Sequence, residues 1–381
     1  MRKRQIALID VAFAHGTRVA PLKGQCYVIL GAFWGYGGVA ARYADLKRSG
    51  VKTGVYLYDL IPVTHPEFCD AALSHDFTVL IGNGLAIFDF ILTISQNTAR
   101  EVRKFQQRHG LRATPVEAVP PAHILVERPH ETKPFASWGP DIAFLKNTPF
   151  VLSVSTIEGR KNHAYLVAAW KQFLDEGLDP PDLVFVDRNG WRVTALMEQL
   201  EATQYLGGRV HIVHNISDAE LETLYRACLF TAFPSFVEGW GLPVGESLSY
   251  GKPCVASNTS SIPEVGGDLV DYVDPFNLRD GIEVLRRMIF DAPYRNQRQE
   301  KVRTDFKARR WAEVGADFVG RLSILRHADS GPSRADALLR AGQIFRPADL
   351  SFGRPLPPDY FSNPTGLILQ DGWYEIEDFG C

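Results

Sequence analysis

At 381 residues the chain is too long for one ordinary domain and suits two of about 150 to 200 residues. Apolar residues make up 45% and charged ones 22%, enough to build packed cores, which argues against global disorder. A net charge of −3 excludes a polycation built to wrap nucleic acid, and five scattered cysteines (Cys26, Cys69, Cys228, Cys254, Cys381) without a C-x-x-C pair argue against a zinc site or disulfide framework.

Arg2, Lys3 and Arg4 ahead of Ile6-Ala7-Leu8-Ile9 imitate a signal peptide, but Asp10 interrupts the apolar segment, and a first strand is the expectation. No uninterrupted apolar run approaches the ~18–20 residues that span a bilayer, so the expected location is cytoplasmic, in a reducing compartment. Cys26 to Phe33 reads as a strand, Trp34 to Gly38 as a glycine-rich turn, and Val39 to Arg48 as a helix. Strands are then expected at Thr53–Leu60, Phe77–Ile81 and Phe90–Ser95, with a helix over Gln96–Arg108. This alternation predicts a parallel α/β sheet. Six prolines from Pro115 to Pro140 suggest an extended connection, which puts the boundary of the first unit at residue 140.

The second unit, residues 141–305, repeats the pattern more regularly. Apolar or β-branched runs lie at Phe150–Ser155, Leu183–Val186, Val210–Val213, Leu229–Phe233, Pro253–Ala256 and Leu269–Tyr272. Helical stretches separate them: Asn162 is placed to cap one, and Ser217-Asp218-Ala219-Glu220 is a capping box before another. Strands without in/out alternation belong to a sheet covered on both faces, whose ligands bind at the strands' carboxyl ends. From Arg286 to Arg310 nine basic residues stand against Asp291, Glu300 and Asp305. A solvated helix face is the ordinary reading of this run, and an anionic membrane surface carrying a lipid-linked acceptor is the alternative. Residues 329–381 lose periodicity and read as a tail or a linker to a further domain, in one piece of a longer protein.

The richest segment for chemistry is Pro234-Ser235-Phe236-Val237-Glu238-Gly239-Trp240-Gly241-Leu242-Pro243-Val244-Gly245-Glu246. It follows a strand and opens a helix, so Gly239 and Gly241 let the backbone approach a ligand while N–H groups at the helix start face an anion. Carboxylates eight residues apart flank that turn: Glu246 is placed to reach ribose hydroxyls, and Glu238 to stand nearer the reacting end of a bound nucleotide. A second strand-to-helix loop holds Glu158-Gly159-Arg160-Lys161-Asn162. Adjacent cations at a helix N-terminus oppose the macrodipole and make sense if a diphosphate bridges Lys161, and Arg160 beside it, to the glycine turn. An ion pair with Glu158 is the plainer reading of Arg160. The phosphate loop G-x-x-x-x-G-K-[ST] of ATP sites is missing, as is the G-x-G-x-x-G of NAD dehydrogenases.

These segments resemble the family 4 retaining glycosyltransferases of the GT-B fold, especially bacterial mannosyltransferase-like members. Glu238 and Glu246 match the family's E-x7-E signature, Thr156 to Asn162 its T-x-E-P-R-K-N segment with Gly159 in place of proline, and Ser260 to Val265 the stretch after its fifth donor-domain strand. The resemblance implies two Rossmann-like domains with parallel sheets facing across a cleft, an acceptor domain over 1–140 that is abbreviated here, and a donor domain over 141–305. It also implies a helix over 306–328 that returns to the first domain, packed through Trp311 and Phe318. Lys161 and Arg160 would neutralise the donor diphosphate, Glu246 would hold the ribose, and Glu238 would sit by the donor sugar. The backbone of Gly239, Trp240, Gly241 and Leu242 would contact sugar and phosphates, and the base would lie near Asp187-Arg188 and Val213 to Ile216. Tyr58-Asp59-Leu60-Ile61-Pro62 resembles the family's H-D-L-x-P segment with Tyr58 in the histidine's place, leaving Asp59 and His65 as the substitutes to test. Trp34 to Gly38, with Gly37 and Gly38, resembles the loop that closes over the phosphates. No D-x-D motif is present, so no metal and no cofactor are expected beyond the nucleotide-sugar co-substrate, GDP-mannose first. The expected product is a glycan lengthened by one hexose. A GT-B epimerase and a non-catalytic module of a larger assembly are the rival readings.

Overall fold

The computed structural model describes residues 23–31, 46–123 and 137–328, apart from positions 48, 72, 76, 79–80, 82–84, 86–87, 112, 188–189 and 191–192. The glycine-rich turn with Gly37 and Gly38, Arg188 and residues 329–381 lie outside the described residues.

The first half is built on β1 (Cys26–Ile29), β2 (Lys52–Leu57), β3 (Phe90–Thr93) and β4 (Val116–Ala118), in the order β1-β2-β3-β4 with every pairing parallel. All four residues of β3 are buried, as expected for a strand covered on both faces. That strand stops before Ser95 because Ser95 is needed as a cap: its hydroxyl accepts the N–H of Thr98 at 3.0 Å and starts α1 (Gln96–Arg108). The strand expected at Phe77–Ile81 is not one. Phe77, Thr78 and Ile81 are helical, and Phe77, Ile81 and Leu85 are buried at the i, i+4, i+8 spacing of a helix face.

The second half holds β5 (Phe150–Val154), β6 (Asp182–Val186), β7 (Val210–Val213), β8 (Thr231–Phe233), β9 (Cys254–Ser257) and β10 (Val270–Val273). They form one parallel sheet in the order β10-β9-β8-β5-β6-β7. Among its helices are α2 (His163–Asp175), α3 (Asp218–Ala227), α4 (Leu242–Ser249), α5 (Leu278–Phe290) and α6 (Ala292–Asp305). Leu166, Trp170 and Phe173 of α2 pack with Leu183, Phe185 and Val255 of the sheet and Leu285 and Met288 of α5. The Trp170 indole N–H is satisfied by the Pro181 carbonyl at 2.7 Å. Ser217 and Glu220 form the expected capping box on α3. Asn162 does not cap α2: its backbone has φ 59°, and its amide instead donates to the carbonyls of Pro234 and Pro275, both at 3.1 Å. Long-range ties outcompete the local cap there.

The last helix among the described residues, α7 (Trp311–Leu325), sets Val314, Phe318, Leu322 and Leu325 against Phe90, Leu92 and Val119 of the first half. Phe318 packs as expected, whereas Trp311 is 52% exposed, a turn ahead of the first side chain in contact with the sheet. Two further ties join the halves. The Glu264 carboxylate accepts the N–H groups of Gln96 and Asn97 at 2.7 and 2.6 Å, an anion on the positive end of α1. The Arg309 backbone N–H donates to the His123 ring Nδ1 at 3.1 Å, and the His123 backbone N–H donates to the Arg309 carbonyl at 3.0 Å.

Much of the charge in the basic run is consumed within the fold. Arg286 pairs with Glu176, Arg298 with Asp271, Lys301 with Asp268 and Asp305, and Arg309 with Asp317. No helix among the described residues is long and apolar enough to cross a membrane.

Candidate active site

The loops after β5 and β8 bring their charged residues together across 77 positions of sequence. Glu238 accepts Lys161 Nζ on one oxygen at 2.6 Å and an Arg160 nitrogen on the other at 2.7 Å. Arg160 also donates to Glu158 at 2.7 Å, the plainer of its two sequence readings, and to the Val237 carbonyl at 2.9 Å. These side chains are largely buried, at 8% exposure for Glu238, 12% for Lys161 and 18% for Arg160. Burial alone would raise the Glu238 carboxyl, but the charges of Lys161 and Arg160 and their hydrogen bonds hold it below the usual carboxylate range. Lys161, expected to face a diphosphate, and Glu238, expected beside a sugar, thus engage each other. An ammonium carries three donors, so Lys161 can keep this bond and still meet a phosphate.

The first half contributes Asp59, one loop away. Its carboxylate accepts the N–H of Ile61 at 2.9 Å, and burial pushes its pKa up against the pull of that bond and of Arg160. A Cβ placed on Gly239 would lie 2.6 Å from the Tyr58 carbonyl and 3.1 Å from Asp59 Cβ. Gly239 therefore serves the approach of the two halves, a demand the sequence reading had assigned to a ligand. Gly239→Ala is expected to push the Tyr58–Asp59 loop off the glycine turn and to lower turnover more than stability, which paired kinetics and urea unfolding would read. Wild-type kinetics in that variant would contradict the close approach.

Gly241 has φ 110°, open to glycine and strained for other residues, and it leads into α4. Trp240 is 5% exposed, its ring in the core against His123, while Leu242 is 45% exposed. Ser260 and Ser261 pin the turn: Ser260 Oγ accepts the Glu238 N–H at 2.9 Å, and Ser261 Oγ donates to the carbonyls of Glu238 and Trp240, both at 2.9 Å. The sequence showed these serines in a family-like run without a role. Their signal was the hydroxyl pair directly after a strand.

Glu246, on the second turn of α4, is 7% exposed and accepts the Tyr225 hydroxyl at 2.6 Å. Burial raises its carboxyl and that bond counters part of the shift. Tyr225 was missed because α3 is remote in sequence and reads there only as a core position. Asp187, just past β6, has a strained φ of 141°, accepts Thr156 Oγ1 at 3.1 Å and donates its N–H to the Val213 carbonyl at 3.2 Å. The loops after β5, β6 and β7 thus come together as the order β5-β6-β7 requires.

His163 is the first residue of α2. It is 2% exposed, and burial followed by the nearby Lys161 charge lowers its pKa to about 3. An unfolded histidine near 6.5 then takes up a proton that the folded one refuses. Stability is whole above pH 6.5 and falls by up to ~1.4 kcal/mol per pH unit as pH drops from there toward 3. Urea unfolding at pH 7 and 5 should show that slope, flattened in His163→Gln; equal slopes would contradict it.

Beside Glu238 a cavity of about 280 Å³ is lined from both halves, by Asp59, His65 and Asn97 on one side and Phe236, Thr259 and Phe276 on the other.

Two parallel sheets with the charged loops at their carboxyl ends define the GT-B class of glycosyltransferases, and residues 137–305 match the family described as Glycosyl transferases group 1. The solved structures agree on fold: an α,α-trehalose-phosphate synthase from Burkholderia vietnamiensis has a TM-score of 0.58 at 15% identity, covering 86% of this chain and 76% of that one. Within the class, the sequence sides with bacterial mannosyltransferases. The serotype-specific mannosyltransferase WbdA of Escherichia coli is 26% identical over 235 residues, 60% of this chain and 28% of that protein. The O-antigen chain mannosyltransferase B of Escherichia coli is 34% identical over 126 residues, 33% of each. The chain therefore spans about a third or less of the length of these relatives. Residues 137–305 thus carry a group 1 glycosyl transferase domain on a GT-B fold, and the chain is similar in sequence to bacterial mannosyltransferases.

Proposed function

We propose that the protein transfers a hexose, mannose first, from a nucleotide sugar to a growing polysaccharide, with retention of anomeric configuration. The observation that carries this is the buried Glu238–Lys161–Arg160 cluster at the end of β5 and β8, with Asp59 of the first half against it. A diphosphate leaving group develops charge as the sugar departs, and fixed cations there stabilise the transition state more than the ground state. Lys161 and Arg160 are the groups for that work, Glu246 holds the ribose, and Asp187 and Val213 border the base. GDP-mannose is the favoured donor because WbdA and its companion relative are mannosyltransferases by name. In this scheme Lys161 and Arg160 take the part of neutralising the diphosphate, and no metal is invoked. The location in this reading is the cytoplasm, with a peripheral contact of the basic run at the inner face of the plasma membrane as the alternative.

A thermal-shift screen against GDP-, UDP- and dTDP-sugars tests the donor. A specific ligand at 100 times its Kd adds about 2.7 kcal/mol of stability, and the expected responder is GDP-mannose. Release of nucleoside diphosphate only when a glycan is added supports transfer. Turnover of the donor sugar without acceptor would indicate the epimerase, and absence of any nucleotide-sugar binding the non-catalytic module.

A further inference from the structure

The two carboxylates that flank the glycine turn are held in opposite ways. Glu238 is neutralised by Lys161 and Arg160. Glu246 is just as buried, yet among the described residues no lysine or arginine pairs with it. Its partner is the neutral hydroxyl of Tyr225, which donates to Oε2 at 2.6 Å and leaves Oε1 without a side-chain partner among the described residues. Both ends of that bond are fixed. Tyr225 is fully buried on α3, its ring lies against Tyr250 with centroids 5.1 Å apart and planes at 18°, and its carbonyl accepts the Cys228 thiol at 3.2 Å. Ser247, next to Glu246 on α4, accepts the Thr231 hydroxyl of β8 at 2.7 Å, which ties down the backbone that carries the carboxylate.

We propose that Tyr225 is a positioning residue for ribose recognition: its hydroxyl holds one oxygen of Glu246 so that the other is presented to the ribose hydroxyls of a bound nucleotide. The inference rests on the assignment of Glu246 to the ribose made above. An ionised carboxylate accepts hydrogen bonds on both oxygens, and a ribose offers it two O–H donors. Burial works against the ionised form of Glu246, and the Tyr225 hydroxyl counters it. A cation would oppose burial more strongly, but it would also satisfy the charge that a ribose must find unsatisfied. A neutral donor keeps the carboxylate in place and leaves its acceptor strength for the ligand, where a charge-assisted bond is worth most. The fixed side chain also spares the ordering that a mobile glutamate would undergo on binding. Glu238 and Glu246 are thereby set apart by their partners: one carboxylate organises cations, the other is kept open for hydroxyls.

The test is calorimetric titration of the full chain with GDP, UDP and dTDP, each beside its analogue stripped of ribose hydroxyls. The wild type should prefer the natural diphosphate over its analogue by about tenfold or more, the worth of a hydrogen bond to a charged group. Tyr225→Phe should weaken the natural diphosphate by about tenfold and leave the analogue within about twofold of wild type. Glu246→Gln should show the same pattern. In the double variant the loss should equal that of Glu246→Gln alone, because the tyrosine acts through the carboxylate. Tyr225→Phe keeps its ring against Tyr250, and the analogue, titrated into the same sample, reads whether the rest of the pocket is intact. Equal losses for both probes in Tyr225→Phe would make the hydroxyl a purely structural tie and overturn the inference, as would additive losses in the double variant. Discrimination lost in Glu246→Gln but kept in Tyr225→Phe overturns it too, while the ribose assignment stands. A wild type that binds both probes alike, or binds no nucleotide, removes the ribose assignment itself, and this inference with it.

Discussion

Lys161→Ala is expected to cut turnover by about 10²-fold or more while the protein stays folded, as removal of a transition-state stabiliser does. The ammonium is held at one end by Glu238 at 2.6 Å and lies 5.1 Å from the centre of the Phe233 ring, so its position is set before any ligand arrives. Preorganisation of this kind favours the charge that develops as the sugar–phosphate bond breaks. The fold survives because Arg160 still occupies the second oxygen of Glu238, leaving no buried carboxylate alone. Initial rates of nucleoside diphosphate release at saturating donor read the effect. Near-normal turnover in Lys161→Ala would remove Lys161 from the chemistry.

Glu238→Ala should cost about 3–5 kcal/mol of stability, because it leaves the buried Lys161 ammonium without its counter-ion and Arg160 with Glu158 alone. The comparison that isolates this cause is Glu238→Ala combined with Lys161→Met. Removing the stranded charge should return part of the lost stability, and urea unfolding measures both. A single variant as stable as wild type would mean that water reaches the pair freely.

The two units and most strands were legible because short, uniformly apolar runs between helices have few alternatives to buried parallel strands. Phe77–Ile81 misled because its buried residues recur every fourth position, and a five-residue window is too short to separate that period from a strand. Asn162 misled for a different reason. Its amide had two partners, the carbonyls of Pro234 and Pro275, which lie 72 and 113 residues away.

The linear chain by itself determined which charged residues and glycines stand at strand-to-helix junctions. Glycines, paired carboxylates and adjacent cations at strand-to-helix junctions are local features, and strand ends present them at one edge of the sheet whatever surrounds them. Only the tertiary structure decided what those groups do to one another. That Glu238 binds both Lys161 and Arg160, that Gly239 yields to the Tyr58 carbonyl, and that Phe68 stacks on Phe236 all depend on two halves meeting. Electrostatic and steric interactions act over a few ångströms, and no local pattern records which distant loops the packed sheets bring within that range.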